Sequence, residues 1–182
     1  MDTAIQEAAD CIHNGGLIAY PTEAVFGLGC AADNTVALER LIALKGRDAA
    51  KGFILVASNI DQLAPYILPL NDQHLRSVKA HWPGPVTFVM KAAHNTSELL
   101  TGGRDTIAVR VSDHPVVRAL CEACGMCITS TSANQSGQEP IKAVEELTRC
   151  FGMQIDSVVP GTLGGDAKPT RIIDLETGRR LR

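Results

Sequence analysis

The apolar positions along the chain alternate between helix-period stripes and short continuous runs, the signature of an α/β protein. Ile5, Ala8, Ala9 and Ile12 recur at helical spacing, and Gly15 and Gly16 stop that helix. Residues 17–20 form a short buried strand closed by Pro21. Residues 22–30 read as a loop in which Gly27 and Gly29 let the backbone approach a neighbour or a ligand. Thr35 is expected to cap a helix whose stripe is Val36, Leu38, Leu41, Ile42 and Leu44, with a strand over 53–56 after it. Helical stretches follow at 59–67 and 71–81, then a rigid turn from Trp82 to Pro85, a strand over 86–90 and a polar loop over 94–105. A strand at 106–111 leads to a helix that Asp113 is expected to cap, with Pro115 in its first turn. A helix over 143–151 and strands at 158–159 and 171–174 complete the pattern, so residues 1–182 read as a single domain.

Two stretches break the pattern informatively. Cys127 and Ile128 lead into Thr129, Ser130, Thr131, Ser132, Ala133, Asn134, Gln135, Ser136 and Gly137. Such a run is either a solvated linker or a strand-to-loop transition that turns many short donors toward a ligand. On the strand over 106–111, alternation places Arg110 with Thr106 and Ala108, opposite Ile107, Val109 and Val111. Arg110 therefore leaves the core, either onto an exposed sheet face or into a pocket wall that holds a carboxylate or phosphate with its planar fork. Lys45, Arg47 and Lys51 lie between a helix and a strand, as dipole partners of the helix end or as an anion site.

Composition narrows the class. With 45% hydrophobic and 20% charged residues, neither a disordered nor a membrane protein is indicated, and no apolar run is long enough to span a bilayer. The start of the chain is acidic and polar where an export signal is basic and then apolar, so a cytoplasmic location is expected. A net charge of −3 argues against a surface that is basic throughout but allows a local basic face. In that setting the six cysteines are expected to be reduced. Cys121, Cys124 and Cys127 have metal-like spacing without a fourth ligand nearby and read as core thiols. Gly161, Gly164, Gly165, Lys168 and Thr170 fail as a phosphate loop because Pro169 separates the lysine from the threonine. Scattered histidines leave no zinc site and no partner for a cysteine nucleophile. The single Trp82 reads as a packing anchor rather than a platform for a base.

Four stretches, in order, resemble the YrdC/TsaC family of threonylcarbamoyl-adenylate synthases over nearly the whole chain. They are Tyr20-Pro-Thr-Glu-Ala-Val-Phe-Gly-Leu-Gly29, Lys45-Gly-Arg47, Trp82-Pro-Gly-Pro-Val-Thr87, and Ala108-Val-Arg110 followed by Ser132-Ala-Asn-Gln-Ser-Gly137. The match is to the short, single-domain form. This resemblance implies a twisted mixed parallel/antiparallel sheet with helices around a concave basic cavity. It also implies the reaction: L-threonine, bicarbonate and ATP give threonylcarbamoyl-AMP and pyrophosphate, for modification of the adenosine beside the tRNA anticodon.

The resemblance carries roles to individual residues. Lys45, Arg47 and Arg110 are the implied catalytic set. Lys45 and Arg47 hold the triphosphate with Mg²⁺ carried by ATP, Lys51 assists, and Thr106, Ser132, Asn134 and Arg182 complete the nucleotide site. Arg110, Ser130, Thr170 and Thr22 form the threonine and bicarbonate side. No protein side chain is identified as a metal ligand. Ala24, Val56 and Asp48 depart from residues common in relatives, a threonine, a histidine and a proline respectively, and Thr22 is the substitute for the first of these. Implied partners are other proteins of the tRNA threonylcarbamoylation pathway and, as a further contact, tRNA or double-stranded RNA, with no membrane. The alternative reading is an RNA-binding or ribosome-maturation factor without catalysis. An aromatic content of only 4% disfavours it, because single-strand RNA binders rely on stacking. A narrower alternative is a related carbamoyl-adenylating activity with another acceptor.

Overall fold

Alternation along the strands sorts their side chains onto two faces of one sheet, and each face builds its own core. The computed structural model describes residues 2–165 and 170–182. The strands are β1 (Ile18–Pro21), β2 (Phe26–Gly29), β3 (Ile54–Ala57), β4 (Val86–Lys91), β5 (Thr106–Val111), β6 (Ile128–Ser132), β7 (Ser157–Val158) and β8 (Arg171–Asp174). The helices are α1 (Asp2–His13), α2 (Thr35–Lys45), α3 (Asp72–Lys79), α4 (Glu98–Thr101), α5 (Pro115–Cys124) and α6 (Val144–Phe151). Among the described residues the strands join in one eight-stranded sheet of order β7-β1-β2-β6-β3-β5-β4-β8. It is mixed: β3 runs parallel to β5 and antiparallel to β6.

On one face, Leu28, Leu55, Ile107 and Val109 pack with Leu38 and Leu41 of α2 and with Leu147 and Phe151 of α6. On the other, Ile18, Tyr20, Val56 and Ile128 pack beneath α1 and α5. Each fully buried aliphatic side chain contributes about 1.5–3 kcal/mol. Helices α1 and α5 cover only part of this second face, and its remainder is the wall of a cavity.

Several expected elements change on inspection. Residues 26–29 are strand β2 rather than loop, and the glycine-rich sequence is explained by neighbours, not by a ligand alone. An added Cβ at Gly29 would overlap the Thr129 carbonyl oxygen and lie 3.0 Å from the Tyr20 ring. We expect Gly29→Ala to destabilise the protein by about 1–3 kcal/mol through overpacking, read as a lowered midpoint in thermal or urea unfolding. An unchanged midpoint would mean that β2 and β6 are not packed this closely.

The cap of α2 is Asn34, whose side chain accepts from the Ala37 N–H at 3.0 Å, not Thr35. Helix α5 has His114 at its N-cap position in place of Asp113, and the Ser112 hydroxyl accepts the His114 N–H at 3.1 Å. The stretch 59–67 shortens to one 3₁₀ turn, Asp61–Leu63, and the loop 94–105 contains α4. The largest change concerns the hydroxyl-rich run. Residues 128–132 are not a linker but strand β6, in the middle of the sheet. Its Thr129 hydroxyl bonds to both the N–H and the carbonyl of Cys30, at 2.9 and 3.3 Å, which lets a polar residue be fully buried at no unsatisfied cost.

Cys121 and Cys124 on α5 and Cys127 just before β6 are free, buried core thiols, as expected. Burial pushes the Cys124 thiol up to about 11 and Cys127 up to about 12, so neither is a nucleophile at neutral pH. Trp82 donates through Nε1 to the Val86 carbonyl at 2.6 Å and meets the Phe88 ring edge-on, in keeping with a packing anchor. The glycine-rich segment keeps Gly161, Gly164, Gly165 and Thr170, whereas Lys168 and Pro169 lie outside the described residues.

Candidate active site

Sheet register decides what the cavity wall contains. Ser130 on β6 pairs with Ile54, Ile54 with Ala108, Ala108 with Val89, and Val89 with Asp174. These residues point to one side and line a cavity of about 820 Å³. Along β5 the same face carries Thr106, Ala108 and Arg110, which spreads the wall over about 13 Å from Thr106 to Arg110. Among the described residues the lining includes seven cationic side chains against three carboxylates, and no cysteine or histidine.

One end is cationic. Arg104, two residues before Thr106, donates to the carbonyls of Ala50 at 2.9 Å and Lys51 at 3.1 Å, bracing the turn that carries Lys51. Gly52, with φ of +59°, closes that turn where a Cβ would meet the Leu100 carbonyl at 2.5 Å. Arg47 donates from Nη2 to the Gly52 carbonyl at 2.8 Å and lies over the Phe53 ring at 5.5 Å. Its Nε is buried without a hydrogen-bond partner among the described residues. Burial, followed by repulsion from Arg104, pulls the Arg47 guanidinium below its usual range. Among the described residues Arg47, Lys51 and Arg104 form no salt bridge, which suits this end to a polyanion.

Lys45 stands behind this end rather than in the cavity lining. Its ammonium donates to the Asn134 carbonyl at 2.7 Å, to Asn134 Oδ1 at 3.2 Å and to the Ser132 carbonyl. The Lys45 carbonyl in turn accepts the Ser136 N–H at 2.9 Å. Burial, with Arg47 and then Lys51 adding repulsion, lowers Lys45 to about 8. Three acceptors require three N–H donors, which only the ammonium supplies, so at neutral pH Lys45 is the charged post around which residues 132–138 are wound. Asn134 is likewise absent from the lining, and its Oδ1 accepts the Ser132 hydroxyl at 2.6 Å.

The other end is built on Arg110. Its Nη2 lies 3.2 Å from Glu23 Oε2, and the two side chains are only 6% and 7% exposed. Glu23 Oε1 accepts the Ser112 hydroxyl at 2.7 Å. Arg110 Nε has no hydrogen-bond partner among the described residues. The two cases left open for Arg110 thus resolve to a pocket wall, with a carboxylate of the chain itself already on one edge of the fork. Thr22 lines this region and donates its hydroxyl to the Val25 carbonyl at 2.7 Å. Thr170 directly precedes β8, whose first residue Arg171 pairs with Val86, and its carbonyl accepts Arg182 Nε at 3.3 Å and Nη2 at 3.2 Å. Burial, then repulsion from Arg110, lowers the Arg182 guanidinium.

The structure thus brings Thr22, Arg47, Lys51, Thr106 and Arg110 to one cavity, together with Ser130, Ser132, Thr170 and Arg182. Lys45 and Asn134 stay behind it. Val56, one of the departures, is fully buried under α5 and does not reach the cavity, whereas Ala24 lines it. Sequence reasoning assigned no role to Glu23 or Arg104. A signal for Glu23 was present: between Asp10 and Asp33 it is the sole Asp, Glu, Lys or Arg, so a charge in that apolar stretch had to be paired. Arg104 sits in a polar loop and offered none.

Comparison with known proteins matches residues 10–182 to the Sua5_yciO_yrdC family model, described as "Telomere recombination". The chain belongs to the Sua5/YciO/YrdC family. A relative from Halorhodospira halophila (strain DSM 244 / SL1), named threonylcarbamoyl-AMP synthase, is 48% identical over 98% of this chain and 93% of its own length. Among solved structures of the family, E. coli YciO superposes with a TM-score of 0.87 at 30% identity, covering 100% of this chain and 89% of YciO. P. abyssi Sua5 complexed with L-threonine superposes with a TM-score of 0.90 at 31% identity over 97% of this chain. This chain covers 52% of that Sua5 protein, about half its length. The eight-stranded mixed sheet is therefore the Sua5/YciO/YrdC fold, and the names of the relatives do not favour the non-catalytic RNA-binding alternative. No helix among the described residues is long and apolar enough to cross a membrane.

Proposed function

We propose that this chain is an L-threonylcarbamoyladenylate synthase, a nucleotidyltransferase that forms threonylcarbamoyl-AMP and pyrophosphate from L-threonine, bicarbonate and ATP. The observation that carries this reading is the division of one cavity into an end whose cations form no salt bridge among the described residues and an end with an ion-paired arginine among hydroxyls. Threonine's ammonium group gives up a proton to solvent, and the neutral amine adds to the carbon of bicarbonate with loss of water, giving a carbamate. A carbamate oxygen then attacks the α-phosphate of ATP, the bond to the β-phosphate breaks, and pyrophosphate leaves. No protein nucleophile takes part, so the residues act by orientation and by stabilising charge on the phosphates.

Arg47 and Lys51 hold the triphosphate, with Thr106 and Ser132 beside it and Arg182 on the nucleotide. Lys45 acts on the same end by fixing the 132–138 segment that carries Ser132 and Asn134. Arg110 takes the threonine carboxylate, with Ser130, Thr170 and Thr22 around the amino acid. Magnesium enters as part of the substrate MgATP. Among the described residues no group of three or more His, Cys, Asp or Glu side chains is placed to hold a metal. The product supplies threonylcarbamoylation of tRNA through other proteins of that pathway, and contact with tRNA or double-stranded RNA is a further expectation of the same reading, in the cytoplasm. Mass spectrometry of the nucleotide product tests it: ¹³C-bicarbonate must place one labelled carbon in an adenylate that also contains threonine. An adenylate with no threonine would contradict the assignment.

A further inference from the structure

We infer that Glu23 determines which substrate occupies the Arg110 end of the cavity, admitting a zwitterionic amino acid and turning away phosphate groups. The inference rests on the function proposed above and deepens it. A guanidinium binds phosphate as readily as carboxylate, and its planar fork suits both. With Arg182 close by, an unpaired Arg110 would make a second polyanion site, competing with the one formed by Arg47, Lys51 and Arg104 toward the Thr106 end of β5. Glu23 removes that competition. Its Oε2 lies 3.2 Å from Arg110 Nη2, and neither side chain is more than 7% exposed, so solvent screens the pair little.

A phosphate docking on Arg110 meets the Glu23 charge and brings no positive charge of its own to offset it. An amino acid brings an ammonium group with its carboxylate, and the two offset Arg110 and Glu23 together. Once the amine becomes a carbamate, the same repulsion turns that new anion away from Glu23 and toward the cationic end, where the α-phosphate lies. Two hydrogen bonds in series keep the Glu23 carboxylate facing Arg110. Ser112 donates to its Oε1 at 2.7 Å, and Ser112 is itself fixed by accepting the His114 N–H at 3.1 Å at the start of α5. Among the carboxylates lining the cavity, Glu23 is the one paired with Arg110.

Glu23→Gln keeps the shape and removes the charge. The expected result is a KM for threonine raised at least tenfold with a KM for ATP within threefold of the parent. Inorganic pyrophosphate, expected to compete only with ATP in the parent, should also compete with threonine in the variant. Ser112→Ala leaves the Glu23 charge but frees it from its anchor, and a smaller rise in the threonine KM, about threefold, is expected. Thermal unfolding establishes that each variant is folded, and if Glu23→Gln is not, Ser112→Ala decides alone. An unchanged threonine KM and an unchanged pyrophosphate pattern in the folded variants overturn the inference. Calorimetric titration with threonine and with pyrophosphate reads the same contrast without turnover. A parent that shows no threonine-dependent turnover therefore counts against the proposed function, while the binding contrast still decides the role of Glu23.

Discussion

Arg110→Ala is expected to lower threonine-dependent turnover by well over tenfold and to lower the melting temperature in the same protein. The two losses have separate causes. A charge-assisted hydrogen bond to a substrate carboxylate is worth about 1.5–3 kcal/mol, which corresponds to roughly 10- to 150-fold in rate. Truncation also leaves Glu23 buried at 7% side-chain exposure without its counter-ion. Stranding one member of a buried pair costs about 3–5 kcal/mol, a shift on the order of 10 °C for a chain of this size. Arg110→Lys separates the two: the ammonium retains a charge opposite Glu23 and much of the stability, but lacks the planar fork and stays impaired in turnover. Steady-state kinetics at saturating ATP, alongside thermal unfolding, read both effects. Parent-like rates in Arg110→Ala would remove this residue from the site.

Arg47→Ala is expected to behave in the opposite way with respect to stability. Its guanidinium is drawn down by burial and by Arg104, its Nε has no hydrogen-bond partner among the described residues, and it holds one strong hydrogen bond, to the Gly52 carbonyl. Removing it relieves like-charge repulsion at the cost of that bond and of a cation–π contact with Phe53 worth about 0.5–1 kcal/mol. The midpoint of unfolding should therefore move little. Catalysis should not be spared, because the charge developing on the phosphates loses a fixed donor in a partly buried site. A fall in kcat/KM for ATP of at least tenfold is expected, with the KM for threonine little changed. A loss of activity matched by a loss of stability would instead make Arg47 a structural residue.

Much of this site was legible because period-two alternation is a strong constraint. Arg110 could be placed off the core from Ile107, Val109 and Val111 alone, and the structure puts it on the cavity side as expected. Other features were hidden for physical reasons. Strand β6 carries hydroxyls where a central strand usually carries aliphatics, and only the tertiary partners of Thr129 reveal how they are satisfied. Residues Phe26–Gly29 contain two glycines, poor strand formers, because the Tyr20 ring and the Thr129 backbone leave no room for side chains. Lys45 resembles a phosphate ligand by its place in the Lys45-Gly-Arg47 motif, yet α2 ends so that its ammonium turns onto Asn134. Glu23 was readable as a charge in need of a partner, but its partner lies 87 residues away, on another strand.

The most direct test of the central claim measures pyrophosphate release from MgATP with L-threonine and bicarbonate supplied separately and together. Release is expected only when both are present, with a maximal rate set by their joint saturation. Release that is indifferent to threonine, or absent with both substrates while RNA binds tightly with a steep dependence on salt, would contradict it.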